Sequence, residues 1–375
     1  MSEPARPDRP GRRSWPIRVR RARADDKQAV LSFASRTWDD SDYIPQVWDR
    51  WLAAADGVLL VATAGGQDAI GADGAPLQAD QAIAVARLAM LSADEMWLEG
   101  IRVDPRVRGM NVATDFQVAE LRWAAAHGVA VVRYATGQDN EGSHRLGARH
   151  GFSLLGEWRW YGADDEDEAI PPPSDDSSTS GSPATLAETD ADSWWPRVAA
   201  DDTLRRGHGL YERRAWALQE LTEERFRGHL SRGQVTVWPD ARADTAGVDA
   251  VPWALAIDRD EGWGDEDPSL PAAPALLIGD GHAALELIRM ASGGRPGVPR
   301  VRLPDVDPPI LDTAAVTAWT AAGWKPRDRT LHILIRPLDA AHPVPEPNET
   351  SLLEMAEEPR SIARPWSAAE PLPSR

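Results

Sequence analysis

The sequence predicts an α/β (α+β) protein with a central mixed, mostly antiparallel sheet flanked by helices, followed by a second α/β domain. Two observations support this fold class. Strand-like and helix-like patterns alternate through residues 16–162, as expected for a sheet covered by helices. Patterned sequence then resumes at residues 193–340 after an acidic interruption. With 375 residues, of which 42% are apolar, the chain is long enough for two cores.

Three segments lack this patterning. Residues 1–15 are basic and rich in proline and predict a disordered tail. Residues 163–192 contain DDEDE and IPPPSDDSSTSGSP with almost no apolar side chains, which predicts an acidic Pro/Ser-rich linker. Residues 341–375 are again rich in proline and glutamate and predict a flexible tail.

In the first patterned region the predicted order is β-α-α-β-β-β-α-β-α-β. Asp25 and Asp26 favour a helix start, because carboxylates stabilise the first turn. Ile44, Val47 and Trp51 recur at helical spacing. The predicted strands are 17–22, 58–63, 82–91, 96–103, 129–136 and 152–160. The predicted helices are 24–37, 44–55, 111–127 and 141–150.

The second patterned region also mixes the two element types. Its strand-like segments are 214–221, 235–238, 253–257, 275–278, 300–303 and 331–336. Its helix-like segments are 223–231, 282–292 and 311–322.

Composition excludes several classes of function. The chain has no cysteine, which excludes disulfides, thiolate zinc sites and a cysteine nucleophile, and we predict no metal centre. The net charge of −18 argues against nucleic-acid binding, which needs a basic surface. Lys27 and Lys325 are the only lysines, so arginine supplies 39 of the 41 basic residues. Adaptation to high salt and a GC-rich genome both explain this usage.

No apolar run reaches the length needed to span a membrane. No hydrophobic segment follows the basic N-terminal residues, so a signal peptide is not expected. We therefore expect a soluble, cytoplasmic protein without membrane partners, as a monomer or homodimer.

The segment Glu99–Ala113, EGIRVDPRVRGMNVA, carries the clearest chemical signal. A strand ends near Val103, Asp-Pro turns the chain, and a short loop leads into a helix. The unpaired N–H groups and the positive dipole end at such a helix start can bind a diphosphate, and Arg106 and Arg108 add positive charge. An ordinary strand-to-helix connection is the alternative.

Arg108-Gly109-Met110-Asn111-Val112-Ala113 resembles the acetyl-CoA loop of GNAT N-acetyltransferases, whose pattern is Arg/Gln-x-x-Gly-x-Gly/Ala. The segment from Asn140 to Phe152, NEGSHRLGARHGF, is similar to the closing helix and strand entry of that family. The resemblance implies a GNAT fold with acetyl-CoA as co-substrate. It also implies that Ile101, Val103 and the loop 108–113 contact the cofactor, with Asn140 bonding the pantetheine arm or a water; as an alternative, Asn140 caps a helix.

In this family an amine attacks the thioester directly, and a carboxylate assists its deprotonation, often through water. Glu99 lies where the family often keeps that base; the alternative is an exposed strand residue. Replacing it with Gln is expected to lower the rate most at low pH. The sequence departs from the family at Asn111, usually Gly, and at Gly147, often a general-acid Tyr. Ser143 and His144 are then the candidate acids.

The acceptor is expected to be a primary amine of a small molecule or amino acid. Aromatic side chains and carboxylates, which suit a cationic amine, occur together in one stretch. Packing of the tryptophans in the core and the acidic composition of the whole chain explain the same residues equally well. These residues are Trp38, Asp39, Asp40, Asp42, Tyr43, Trp48 and Trp51. DYIPQVWDRWL is also similar to the branch that includes histidine N-acetyltransferase-like proteins. A non-catalytic acyl-CoA-binding or regulatory module is the alternative function.

The second region ends in TAWTAAGWKPRDRTLHILIRPL, which resembles the family's helix, Gly-aromatic pair and strand. This resemblance implies a degenerate second GNAT-like half.

Overall fold

The computed structural model describes residues 16–35, 42–64, 69–71, 74–163, 182–214, 216–239, 252–259, 273–293, 297, 299–345 and 352–353. The predicted tail 1–15 lies outside these residues, as do 164–181 of the predicted linker and most of the predicted tail 341–375.

The strands are β1 (Ile17–Arg21), β2 (Gly57–Ala64), β3 (Ala69–Ile70), β4 (Pro76–Leu77), β5 (Ala82–Met90), β6 (Glu95–Val103), β7 (Val131–Gly137), β8 (Ser153–Gly162), β9 (Ala184–Thr185), β10 (Leu210–Arg214), β11 (Ala217–Glu220), β12 (Val235–Trp238), β13 (Ala254–Asp258), β14 (Pro274–Gly279), β15 (Val301–Pro304), β16 (Lys325–Pro337) and β17 (Leu352–Leu353). The α-helices are α1 (Lys27–Ala34), α2 (Ile44–Ala53), α3 (Val112–Ala126), α4 (Glu141–Arg149), α5 (Ala191–Ala200), α6 (Asp202–Arg206), α7 (Glu223–Ser231), α8 (Gly281–Ala291) and α9 (Thr313–Ala321). Short 3₁₀ turns occupy Ala24–Asp26, Pro105–Val107 and Glu188–Asp190.

The chain divides into two compact units that interleave in sequence. The first unit comprises residues within 1–133, 142–152 and 335–365. The second comprises residues within 134–141, 153–334 and 366–375.

A mixed sheet forms the centre of the first unit, with the strand order β17-β1-β2-β5-β6-β7. The pairs β1–β2, β2–β5 and β5–β6 are antiparallel. The outer pairs β1–β17 and β6–β7 are parallel. Every residue of β5 is buried, so both faces of the sheet are covered at its centre. Helices α1 and α3 both pack on β5, and α2 packs on β2.

The strands and helices predicted for the first region are present, with boundaries displaced by a few residues, but the predicted order lacks the paired two-residue strands β3 and β4 between β2 and β5. The predicted helix 24–37 divides into the 3₁₀ turn Ala24–Asp26 and α1. On the outer side of these helices Lys27 donates to Asp49 at 2.6 Å. No helix among the described residues is both long and apolar enough to cross a bilayer.

The second unit contains the antiparallel sheet β14-β13-β12-β9. Helix α8 packs on β12, β13 and β14, and α9 packs on α8. Trp319 and Trp324 are buried in the core that these elements share. The antiparallel pairs β10–β11 and β8–β15 also lie in this unit, and β16 is the other neighbour of β8 in the strand order.

Two expectations for the second unit were wrong. The predicted strand 214–221 is interrupted, because Trp216 adopts the left-handed region (φ 67°) and turns the chain between β10 and β11. Within the segment predicted as a linker, β9 and the start of α5 are ordered, since Ala184, Leu186 and Ala191 are buried in a core. A few apolar residues are enough to order a segment when each of them is buried, even where they are too few to form a sequence pattern.

Helix α3 buries an ionisable side chain that the sequence pattern did not single out. Glu120 is 1% exposed, and its Oε1 atom has no hydrogen-bond partner among the described residues. Burial in this apolar setting raises the pKa of Glu120 to about 8. The carboxyl is therefore protonated in the folded protein at neutral pH and ionised in the unfolded chain.

This difference predicts a pH-dependent effect of Glu120→Gln on stability. The contribution of the neutral carboxyl is full below about pH 4.5 and is lost as the pH rises towards 8. From pH 5 to pH 8, the free energy of unfolding of the wild type should therefore fall relative to that of the variant, by an amount on the order of a few kcal/mol. Urea unfolding at both pH values measures it. Asp25→Asn, at an exposed position, is the control, and an equal response of the two variants would contradict the prediction.

Candidate active site

A β-bulge in β6 shapes the centre of the first unit. Val85 pairs with Arg102 and Arg87 pairs with Glu99, so one residue of β5 lies opposite two of β6. The extra residue is accommodated at Gly100, whose φ of 70° lies in the left-handed region.

The side chain of Trp51 from α2 covers this bulge. A Cβ atom on Gly100 would lie 2.6 Å from Trp51 Cη2, a distance that Cβ contacts do not reach. Tyr43, at the N-terminus of α2, packs edge-on against Trp51 with ring centroids 5.8 Å apart. Gly100 is therefore required both for its backbone angles and for the close approach of the indole.

The bulge brings Glu99 and Arg102 to one face of the sheet. In a regular strand, residues three apart point to opposite faces. One extra residue reverses that relation, and both side chains interact with Tyr43. Glu99 and Arg102, which have opposite charges and lie three residues apart in sequence, are thereby placed beside the same tyrosine ring.

Glu99 is held by an ion pair rather than by solvent. Its Oε1 atom accepts a hydrogen bond from Nη1 of Arg87 on the neighbouring strand. Nη2 of Arg87 donates to Asp56 Oδ1 at 2.5 Å. The Glu99 side chain is 12% exposed, so the alternative of an exposed strand residue is wrong. Burial would lower the pKa of Arg87, but the Glu99 and Asp56 carboxylates raise it above its ordinary value.

Arg102 forms a second ion pair on the same face. Its Nε donates to the buried Asp42 carboxylate at 2.5 Å, and its guanidinium lies 5.4 Å from the centre of the Tyr43 ring. Arg102 therefore braces the Asp42 carboxylate. Burial raises the pKa of Tyr43 to about 12; the positive charge of Arg102 opposes that shift, and the negative charge of Glu99 adds to it. Tyr43 is therefore a neutral hydroxyl at physiological pH.

The connection from β6 to α3 turns tightly. Asp104 accepts hydrogen bonds from the backbone and guanidinium of Arg106, which fixes the 3₁₀ turn Pro105–Val107. Gly109 (φ 79°) and Asn111 (φ 62°) both adopt the left-handed region. Asn111 thus occupies the backbone conformation that a glycine takes most easily.

The start of α3 presents backbone donors. Among the described residues, no hydrogen bond is made by the N–H groups of Asn111, Val112, Ala113 and Thr114. Arg108 is exposed and forms no ion pair within the described chain, whereas Arg106 is bound to Asp104. The geometry therefore suits an anion at this helix end.

Helix α4 carries the candidate acids. Ser143 and His144 are partly exposed on it, and Gly147 is buried. Arg149 at its end donates to Thr114 Oγ1 at 2.7 Å, which links α4 to the first turn of α3. Asn140 precedes α4 and belongs to the second unit, where its N–H donates to Gly137.

The predicted acceptor residues have different environments. Trp38, Asp39 and Asp40 lie outside the described residues. Trp48 is wholly buried, so it is a core residue. Asp42, Tyr43 and Trp51 are the members that join the Glu99 cluster, which we define as Tyr43, Trp51, Arg87, Glu99 and Arg102 with the carboxylates of Asp42 and Asp56.

The sequence model of the Acetyltransferase (GNAT) family matches residues 27–152. The matched segment contains the Glu99 cluster, the loop with Gly109 and Asn111, and helices α1 to α4. Residues 27–152 are a GNAT acetyltransferase family domain. The predicted α/β fold class, with its mixed sheet flanked by helices, is confirmed.

Several solved structures of GNAT acetyltransferases are similar to the chain at low identity. The GCN5-related N-acetyltransferase from Kribbella flavida is 12% identical with a TM-score of 0.45, over 88% of this chain and 73% of that one. The ribosomal-protein-S18-alanine N-acetyltransferase from Escherichia coli is 15% identical with a TM-score of 0.32, over 38% of this chain and 80% of that one. A GNAT family acetyltransferase from Elizabethkingia anophelis with acetyl-CoA bound is 13% identical with a TM-score of 0.29, over 43% and 89%. A comparison with curated proteins gives no match.

Sequence analysis did not identify Arg87 or Asp56. The signal for Arg87 was present, because it is the only charge in the apolar strand AIAVARLAM. A charged side chain inside a fully buried strand requires a buried partner. Asp56 gave no comparable signal. No group of three or more acidic or histidine side chains that could hold a metal occurs among the described residues.

The bulge predicts that Gly100→Ala is unusually destabilising. In the variant, alanine must adopt a left-handed backbone conformation, and its Cβ atom clashes with Trp51. Together these costs should lower the free energy of unfolding by about 2–4 kcal/mol. Gly128→Ala is the matched control, since Gly128 has a similar φ of 74° but open space around its Cβ position. Chemical denaturation of both variants measures the difference. Equal losses would show that the indole contact adds nothing.

Proposed function

We propose that this protein transfers an acetyl group from acetyl-CoA to a primary amine of a small molecule or amino acid, by direct attack of the amine on the thioester. The observation that carries the proposal is the loop Arg108–Ala113 with its two left-handed residues, immediately before α3 in a GNAT family domain. The cofactor is assigned from the chemistry of the residues in and after this loop.

The donors at the start of α3 fit a diphosphate. Four consecutive N–H groups from Asn111 to Thr114 and the positive end of a 15-residue helix provide both hydrogen bonds and favourable charge. Arg108 can approach the same anion from solvent. In this proposal Gly109, Met110, Val112 and Ala113 contribute backbone contacts, and Ile101 and Val103 on β6 lie along the pantetheine arm, with Asn140 bonding it or a water.

Glu99 acts as the base or orients the water that takes the ammonium proton. The amine nitrogen then forms a bond to the acetyl carbon, the carbon–sulfur bond breaks, and the CoA thiolate takes up a proton. Ser143 and His144 are the proposed donors of that proton, since Gly147 has no side chain to supply it. The protein mainly holds both reactants in place.

The Glu99 cluster supports an amine as the acceptor. It contains three carboxylates and two guanidinium groups beside the rings of Tyr43 and Trp51, so its formal charge is negative. A cationic amine is attracted by that charge and by the aromatic faces. The proposal of a histidine N-acetyltransferase-like branch, with a small amino acid as acceptor, rests on the stretch from Asp42 to Leu52. A degenerate GNAT-like half after residue 193 likewise stays a proposal.

A non-catalytic acyl-CoA-binding or regulatory module is the second candidate. It is favoured by Gly147, which removes a general acid, and by Asn111 in place of glycine. Titration with acetyl-CoA, followed by a free-thiol assay over a panel of amines, separates the two. Binding with amine-dependent thiol release supports the enzyme, binding without release supports the module, and no binding contradicts both.

The left-handed loop predicts a graded effect on acetyl-CoA affinity. Asn111→Gly should keep the affinity within about twofold, because glycine adopts the same backbone angles without cost. Asn111→Val should weaken it about tenfold or more, because a β-branched residue pays roughly 1–2 kcal/mol in this conformation. Calorimetric titration measures both, with Gly128→Ala as a strain control outside the loop. Equal affinities for the Gly and Val variants would remove the loop from the proposed site.

A further inference from the structure

Arg87 is an unusual residue for the middle of a buried strand. Its side chain is 2% exposed, and every other residue of β5 is apolar. Burying a guanidinium is unfavourable unless carboxylates compensate its charge. Arg87 therefore needs a partner, and it has two.

The two partners lie in different surroundings. Asp56, just before β2, is 47% exposed and remains in contact with solvent. Glu99, on β6, is 12% exposed and is the more buried of the two. Since the guanidinium carries one positive charge and contacts two carboxylates, the group of three has a net formal charge of −1.

The geometry of the contact is fixed by the backbone. Arg87 and Glu99 are register partners on adjacent antiparallel strands, and the bulge follows immediately at Gly100. The Arg87 guanidinium also lies 5.8 Å from the centre of the Trp51 ring. The guanidinium is thus restrained by a carboxylate on each side and by an indole, and Glu99 Oε1 is held by a rigid donor.

We propose that Arg87 is a positioning residue for acetyl transfer: it holds the Glu99 carboxylate oriented beside a fixed positive charge, and Asp56 shares that charge. The inference rests on the proposed function. When Glu99 takes the proton of the acceptor ammonium, Arg87 keeps its own proton and its bond to Oε1, so only the charge of the carboxylate changes.

The other charged groups around Glu99 do not replace Arg87. Tyr43 from α2 is a neutral hydroxyl, as its pKa of about 12 requires. Arg102 on β6 is bound to Asp42 at 2.5 Å. Among the described groups facing Glu99, Arg87 is the one whose positive charge contacts the Glu99 carboxylate directly.

The test uses the full-length chain with ¹³C at the glutamate side-chain carboxyls. The Glu99 resonance is identified as the one missing from Glu99→Gln. In Arg87→Gln its protonation midpoint should move up by about one pH unit or more, because an adjacent opposite charge is lost. In Asp56→Asn it should move down, because Arg87 then has one carboxylate instead of two. Arg21→Gln, an exposed arginine on β1, should leave it unchanged.

The same variants are assayed for thiol release with acetyl-CoA and the amine panel across pH. The acid limb of the rate should follow the Glu99 midpoint in each variant. At pH values below the wild-type midpoint, kcat of Arg87→Gln should be about tenfold lower, with KM for acetyl-CoA changed less than twofold. A purely structural role would lower both pH limbs alike and would not produce opposite shifts in the two variants.

Each outcome decides the inference. If Arg87→Gln does not fold, the downward shift in Asp56→Asn carries the test alone. Unchanged Glu99 midpoints in both variants overturn the proposal. If the midpoints shift as expected but the wild type releases no thiol with any amine, the proposed function fails, while control of the Glu99 charge by Arg87 stands.

Discussion

The extra residue in β6 is the constraint on which the first unit depends. A strand buried on both faces offers no freedom to reorient a side chain except by changing its register. The bulge at Gly100 makes that change once, under the ring of Trp51, and it leaves the hydrogen-bonded pairing intact on either side. A charged cluster can therefore be built around Arg87 on β5, a strand whose other residues are all apolar.

The second constraint is the backbone conformation of the loop before α3. The loop before α3 needs two left-handed residues within three positions, and the chain supplies one glycine and one asparagine for them. Asparagine tolerates this region better than most residues. The substitution of Asn111 into a pattern that usually has glycine therefore preserves the path of the backbone.

The order of elements in the first region followed from hydrophobic periodicity, because buried strands and amphipathic helices repeat differently. Glu99 and the loop around Gly109 were found from local sequence and family resemblance. Arg87 and Asp56 were not, since Arg87 meets Glu99 only through the pairing of β5 with β6, and Asp56, just before β2, meets Arg87 only in the folded sheet. The turn at Trp216 was missed because a tryptophan with positive φ has no sequence signal, and β9 because two residues are too few to form a pattern.

The ion pair between Lys27 and Asp49 has a consequence for the protein's own surface. Lysine side chains are the amines that acetyl thioesters modify without a catalyst, and this chain has only two. One of them, Lys27, donates to the Asp49 carboxylate at 2.6 Å. Arginine serves nearly everywhere else that a positive charge is needed, and its guanidinium does not lose its proton. A chain with two lysines offers few ε-amino groups of its own to any reactive thioester.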